Sequence, residues 1–192
     1  MTYTTDRSYR SFFLSLDVRE CGGCSSCERT QQNQKHIMTT KVQPIPEGYH
    51  SLTPYLTIKG ADKAIEFYIK AFGAEELFRM PTPDGKAVMH AELKIGDSRV
   101  MLSEESPEHG SRAPQTLGGT PVSLYFYVED ADKVFATATA AGAQVRTPLT
   151  DMFWGDRFGQ VADPFGHLWS IATRKENLTD EQFNERAREF AC

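Results

Sequence analysis

Ser123–Gly142 reads SLYFYVEDADKVFATATAAG, and it repeats the plan of Thr53–Gly73, TPYLTIKGADKAIEFYIKAFG. In each, a short aromatic and β-branched run leads to Ala-Asp-Lys, then to apolar residues at helical spacing, then to glycine. Ala61 and Ala131 stand 70 positions apart, and so do Gly96 and Gly166 in later turns. Two landmarks kept in order at one offset point to a duplicated module.

Outward from the first copy, Thr53 to Lys59 is predicted as a strand. Apolar residues at 61, 64, 65, 68 and 72 make one helical stripe, with Glu66 and Lys70 as an i,i+4 pair on the outer face. Gly73 stands where a left-handed cap belongs. Glu75 to Met80 reads as a strand ended by Pro81 and Pro83, and Asp84-Gly85 as a turn. Ala87 to Ile95 alternates, placing Met89, Ala91, Leu93 and Ile95 on one face and Val88, His90, Glu92 and Lys94 on the other. Gly96-Asp97 turns the chain into Arg99–Ser103.

The second copy follows the same order. Val122 to Val128 is a strand, Asp130 the helix N-cap, and Ala131, Val134, Phe135, Ala138 and Ala141 the buried stripe, with Gly142 as cap. Gln144 to Thr147 is predicted as a strand leading to Pro148. Asp151 to Ala162 is predicted as a longer strand bulged at Gly155 or Gly159. Asp163-Pro164-Phe165-Gly166 has type I turn preferences, and His167 to Thr173 closes the sheet. The expected fold is α+β: two tandem βαβββ modules, 49–105 and 120–174, whose mixed sheets curl into a cup. Glu104 to Gly119 reads as a linker and flap. Within 175–192, Thr179 to Phe190 forms a helix with a Thr179/Gln182 capping box, docked through Phe183 and Phe190.

Residues 1–48 differ from the rest. Positions 1–37 are rich in Ser, Thr, Gln and Arg, without periodicity, so a disordered extension is expected. Met38-Thr-Thr-Lys41 resembles an ordinary chain start. Two readings stand, a genuine extension or upstream sequence carried in by a misplaced start codon, and the second is favoured. Cys21, Cys24 and Cys27 form C-x-x-C-x-x-C, a thiolate spacing that clasps zinc or iron–sulfur when a fourth ligand is present. Only His36 or Cys192 offers itself, and a flexible arm with reactive thiols is the plainer reading.

The 192 residues carry 40% hydrophobic and 24% charged side chains, as ordinary globular proteins do. The net charge of −5 argues against a nucleic-acid surface, and no apolar run is long enough to span a membrane. With no cysteine between positions 27 and 192, disulfides do not build the fold, which fits a reducing cytoplasm.

A doubled strand–helix–three-strand unit resembles the vicinal oxygen chelate superfamily over roughly Tyr49 to Arg174. Five motifs are similar to its PhnB-like, demethylubiquinone-methyltransferase-like branch: Leu52-Thr-Pro-Tyr-Leu56, Ala64-Ile-Glu-Phe-Tyr68, Met89-His-Ala91, Phe153-Trp-Gly-Asp-Arg157 and Asp163-Pro-Phe-Gly-His-Leu-Trp169. In metal-using members the resemblance implies ligands on the opening and closing strands of each module. Those positions fall here on Thr53, Met101, Ser123 and Ser170, where such members place His, Glu or Gln. Hydroxyls and a thioether suit zinc or iron poorly, so no cofactor is expected, with a divalent metal kept as the alternative.

Candidate chemistry rests on few residues. His90 and Glu92 share one strand face and are the candidate acid–base pair, against a reading of His90 as an ordinary hydrogen-bonded sheet residue. Trp154, Asp156 and Arg157 are candidate ligand contacts, the indole for stacking and the guanidinium for a carboxylate or phosphate, against an Asp–Arg pair that only steadies a strand. His167 reads as completing its turn; Tyr55, Tyr125 and Phe126 read as core or cavity wall. No Ser-His-Asp or Cys-His arrangement and no phosphate-loop spacing is present. The leading expectation is a metal-free binder of a small oxygenated or aromatic molecule. The alternative is a lyase, isomerase or transferase using His90 and Glu92, with metal assistance in one form. A third is a protein whose dimer surface matters more than its cup, since the resemblance implies a homodimer.

Overall fold

A computed structural model of the chain describes residues 42–190. Tyr55–Ile58 (β1) leads into helix Ala61–Phe72 (α1), then strands Glu75–Pro81 (β2), Val88–Ile95 (β3) and Ser98–Glu104 (β4). The second module has the same order: Ser123–Tyr127 (β5), helix Ala131–Ala140 (α3), then Gln144–Asp151 (β6), Asp156–Ala162 (β7) and Leu168–Arg174 (β8). Between them lies the short helix Pro114–Leu117 (α2), and Asp180–Phe190 (α4) follows the second module. The strand orders, β1-β4-β3-β2 and β5-β8-β7-β6, are the same circuit twice, with the first strand parallel to the last and the other pairs antiparallel. The α+β class and the tandem βαβββ plan are therefore as the sequence implies.

Each helix covers one face of its own sheet because its stripe is apolar. Ala61, Ala64, Ile65, Tyr68, Ala71 and Phe72 of α1 are buried against Ala91, Leu93 and Ile95 of β3 and Leu102 of β4. α1 also packs on α3, and this joins the modules. Tyr68 and Phe72 of the first module meet Trp169 of the second at ring distances of 5.4 and 4.5 Å. No strand is hydrogen-bonded from one sheet to the other among the described residues, so the receptacle is not one continuous sheet. Each sheet keeps a helix face and an open face.

Both helices begin on a group supplied by the closing strand. Glu104 accepts from the Gly60 and Ala61 amides at 2.7 and 2.8 Å, and Thr173 Oγ1 accepts from the Ala131 amide at 2.8 Å. Asp130 adds the expected cap, its side chain accepting from the Lys133 amide at 2.9 Å. Gly73, at φ +66°, ends α1 as expected.

Several local expectations change. β6 runs through Pro148 to Asp151. It is an edge strand with irregular register on either side of Thr147, so a residue without an amide hydrogen costs no ladder bond. β7 starts only at Asp156, because Met152–Gly155 turns, with the Gly155 amide donating to the Met152 carbonyl at 2.9 Å. Gly159 pairs regularly with Ile171 on β8, and the irregularity expected near it lies on the other side, where the β6 register slips between Thr147 and Thr150 opposite it; its missing side chain makes room for Phe135 of α3. Val88 is buried and Met89 exposed, the reverse of simple alternation, because the β2–β3 register slips between Met80 and Pro81.

The linker is no free flap. Glu105 accepts from the Ala113 amide and the Thr116 hydroxyl, and Gln115 donates to the Pro164 carbonyl at 2.7 Å. The Thr179/Gln182 box forms in both directions at 3.0 and 3.3 Å, and Phe183 and Phe190 dock on Phe153. The extension at 1–37, the Cys21/Cys24/Cys27 spacing, His36, the start at Met38 and Cys192 lie outside the described residues.

Candidate functional site

The two open faces carry the chemistry, and they match row by row. Across the first sheet, Tyr55 of β1, Met101 of β4 and Glu92 of β3 stand in register; across the second, Tyr125, Ser170 and Gln160 do. One step along, Tyr55 stacks on His90 with centroids 5.7 Å apart and planes 29° apart. Tyr125 stacks on Phe158 at 5.8 Å and 26°. The duplication is thus visible in side-chain geometry, although the chemistry has diverged.

On the first sheet that chemistry is ionic. The Tyr55 hydroxyl and His90 Nδ1 lie 3.2 Å apart, His90 Nε2 is 3.5 Å from Glu92 Oε1, and Arg99 Nη1 donates to Glu92 Oε2 at 3.2 Å. Arg99 in turn lies over the Tyr49 ring at 4.4 Å. The Tyr49 hydroxyl beside it, and after it His90 and Arg99, hold the Glu92 carboxyl below the ordinary range against the opposing effect of burial. Glu92 is therefore an anion at neutral pH and suits orienting His90 better than giving up a proton. Thr53, Tyr49, Glu92, Arg99 and Met101 line a hollow of about 670 Å³.

On the second sheet the chemistry is aromatic. Asp156 is only 3% exposed, and its Oδ2 accepts from the Tyr127 hydroxyl at 2.9 Å, Trp154 Nε1 at 3.2 Å and the Tyr125 hydroxyl at 3.3 Å. Tyr125, Tyr127, Trp154 and Phe158 surround this carboxylate and line a hollow of about 560 Å³. Burial, and then Asp156 beside it, push the Tyr127 phenol above its ordinary range. Burial and the neighbouring Tyr127 do the same to Tyr125.

The four corner positions divide. Ser123 and Ser170 touch, Oγ to Oγ, at 2.8 Å, and Gln160 Nε2 donates to Ser170 at 3.1 Å and to Ser123 at 3.3 Å. Thr53 lies just before β1, its hydroxyl donating to the His50 carbonyl at 3.3 Å, and it shares a hollow of about 810 Å³ with Ser123. Met101 sits between Tyr55 and Glu92 in its row.

Arg157 does not join Trp154 and Asp156. Its guanidinium grips Asp132 of α3 through two nitrogens at 2.8 and 3.1 Å and reaches Asp151 at 3.4 Å. The Asp–Arg pair anticipated in this motif therefore forms with the helix rather than with Asp156. Tyr55 and Tyr125 are exposed on the open faces, while Phe126 packs inward on Phe72. His167 is buried, with Nε2 3.3 Å from the Thr57 carbonyl. Sequence reasoning missed Tyr49, Arg99, Tyr127, Phe158 and Gln160. The period-2 parity of β5 and β7, followed from Tyr125 and Asp156, points to Tyr127, Phe158 and Gln160. No local signal marks Tyr49 and Arg99, which meet only through the loop before β1.

The family model described as Glyoxalase/Bleomycin resistance protein/Dioxygenase superfamily matches residues 48–171. An uncharacterized protein of Mycobacterium tuberculosis, Rv0887c, is 45% identical over 159 residues, covering 80% of this chain and 89% of that protein. Protein YjdN of Escherichia coli is 30% identical, covering 67% of this chain and 98% of its own length. Among solved structures, TioX from Micromonospora sp. is 31% identical with a TM-score of 0.53, covering 64% of this chain and 97% of that one.

Proposed function

The chain belongs to the Glyoxalase/Bleomycin resistance protein/Dioxygenase superfamily, and we propose that it is a PhnB-like member that binds a small oxygenated or aromatic molecule on its open sheet faces without a divalent metal. The observation that carries this reading is the Ser123–Ser170–Gln160 cluster. At a corner where metal-using relatives place ligands, three neutral groups are satisfied by one another. Divalent zinc, iron or manganese calls for imidazole, carboxylate or thiolate donors to offset lost hydration, and these residues do not fit it. Nor do Thr53 and Met101. His90 and Glu92 are paired with Tyr55 and Arg99, and among the described residues no three His, Cys, Asp or Glu side chains converge.

The exposed rings of Tyr55, Tyr125 and Tyr127 then serve as stacking surfaces, and the hollows beside them hold the ligand. The partner in assembly is a second copy of this chain. β1 and β5 are both edge strands, flanked by exposed Leu52 and Val122, and pairing would cover them. Among the described residues no helix is long and apolar enough to cross a membrane. With no cysteine between positions 42 and 190, the cytoplasm is the compartment proposed.

A thermal-shift screen of oxygenated and aromatic metabolites, run with chelator and with added zinc, manganese or iron, tests this. The expected result is that a ligand raises Tm while chelator and metals leave it unmoved, and that the purified protein carries no stoichiometric divalent ion. An ion retained at one per chain, whose removal lowers Tm, overturns the metal-free reading.

The Tyr55–His90–Glu92 chain favours a second reading, an enzyme in which His90 moves a proton while ionised Glu92 orients its ring. A lyase, isomerase or transferase of that kind would lose turnover in His90→Gln while keeping ligand affinity.

A further inference from the structure

The Asp156 hollow on the second sheet has a composition that selects a charge type. Four aromatic side chains follow one another around it: Tyr127 to Tyr125 at 4.9 Å, Tyr125 to Phe158 at 5.8 Å, and Phe158 to Trp154 at 5.6 Å between ring centroids. Tyr125 and Tyr127 remain 48% and 56% exposed, so their rings are open to a ligand. The polar hydrogens of the box point the other way. Both phenols and the indole N–H donate to the same oxygen, Asp156 Oδ2. A ligand entering the hollow therefore meets aromatic rings and the field of a carboxylate, with the three side-chain donors already engaged.

Among the described residues no cation lies within ion-pair distance of Asp156. Arg174 is its register partner on β8, but its Nε donates to the Glu176 carbonyl at 3.3 Å, and its charge is felt by Tyr127 rather than paired with the carboxylate. Ring faces are negative at their centres, and donation to an anion enriches them further. A low-charge-density cation gains from several such faces together and loses little hydration on entry. An anion meets repulsion here, and a neutral polar ligand finds its usual side-chain donors occupied.

We propose that the Tyr125–Tyr127–Trp154–Phe158 box around Asp156 binds the alkylated ammonium group of a small molecule. This rests on the reading of the open faces as a small-molecule site and names the chemical class that the second sheet takes.

The test titrates the full chain with choline and, separately, with its uncharged carbon isostere 3,3-dimethylbutan-1-ol, following the Trp154 indole N–H by NMR. The expected result is a saturable shift with choline and affinity at least about tenfold weaker for the alcohol. Asp156→Asn is expected to weaken choline binding by a similar factor. Arg174→Gln, on an exposed side chain outside the box, is expected to tighten it a few-fold, and it keeps the test decisive should Asp156→Asn unfold. Equal or better binding of the alcohol overturns the ammonium assignment while leaving a small-molecule site in place. So does weaker choline binding in Arg174→Gln. No shift with either probe also overturns the assignment, and the open-face reading then stands or falls on the metabolite screen alone.

Discussion

The Tyr68 hydroxyl donates to Asp163 Oδ2 at 2.8 Å, tying α1 of the first module to the turn before the last strand of the second. Asp163 is 4% exposed and takes three further hydrogen bonds: Trp169 Nε1 on the same oxygen at 3.0 Å, and the Phe165 and His167 amides on Oδ1, both at 2.9 Å. A buried carboxylate is tolerated here because four donors converge on it. The Asp-Pro-Phe-Gly-His-Leu-Trp motif is thus the joint between the two halves.

Tyr68→Phe removes one charge-assisted hydrogen bond and is expected to cost about 1.5–3 kcal/mol in urea unfolding. Asp163→Asn is expected to cost more, because its amide turns N–H groups toward donors that lose their acceptor. If Asp163→Asn unfolds at wild-type denaturant concentration, the joint is not where the modules are held.

Stability is expected to fall on mild acidification. Burial, opposed by the Asp163 carboxylate, holds the His167 imidazole below its ordinary 6.5. The unfolded chain then binds the proton more readily, so stability rises with pH across the interval and is lost as pH drops from about 6.5 through the lower folded value. Urea unfolding between pH about 7 and 5 should show this slope, and His167→Gln should flatten it. An unchanged slope in the variant would assign it to other groups.

A second limb is expected in alkali. Burial pushes the Tyr68 phenol well above its ordinary 10, with Asp163 adding to the effect. The stability contributed by the neutral phenol is fully present below pH 10 and declines above it. Phenolate absorbance should develop together with unfolding for this residue, and its loss in Tyr68→Phe identifies it.

Gly159→Ala is expected to destabilise by about 1–3 kcal/mol, because the region is already close-packed. A Cβ there would lie 2.7 Å from Phe135 Cε2 and 3.0 Å from Leu149 Cα, and the second is backbone. Phe135→Leu should recover part of the loss. Recovery in that double variant, measured by thermal unfolding, separates a clash with α3 from a conformational demand of glycine.

Arg157→Ala is expected to leave Tm nearly unmoved and ligand affinity unchanged, since its Asp132 partner is exposed and the pair lies apart from the Asp156 hollow. Combining it with Asp132→Ala should add almost nothing. A loss of ligand affinity in Arg157→Ala would return the guanidinium to the site.

The order of elements, the repeat, the Asp130 cap of α3 and the Gly73 cap of α1 were legible in the residues themselves, since hydrophobic period, Ala-Asp-Lys and glycine act within a few positions along the chain. The rest of the capping was not: Glu104 and Thr173 reach the helix starts from distant strands, and α3 ends on Ala141 in ordinary helical conformation rather than on Gly142. So was the failure of Thr53, Met101, Ser123 and Ser170 to resemble metal ligands, because donor chemistry is a property of residue type. Which partner each polar group takes was decided only by tertiary structure. Arg157 stands beside Asp156 in sequence, yet β-strand neighbours point to opposite faces, and the guanidinium is committed to Asp132 on a helix 25 residues earlier. The aromatic box likewise needs β5 and β7 set in register on either side of β8, with the turn between β6 and β7 beside them, a register set by the whole sheet and by no single stretch of it.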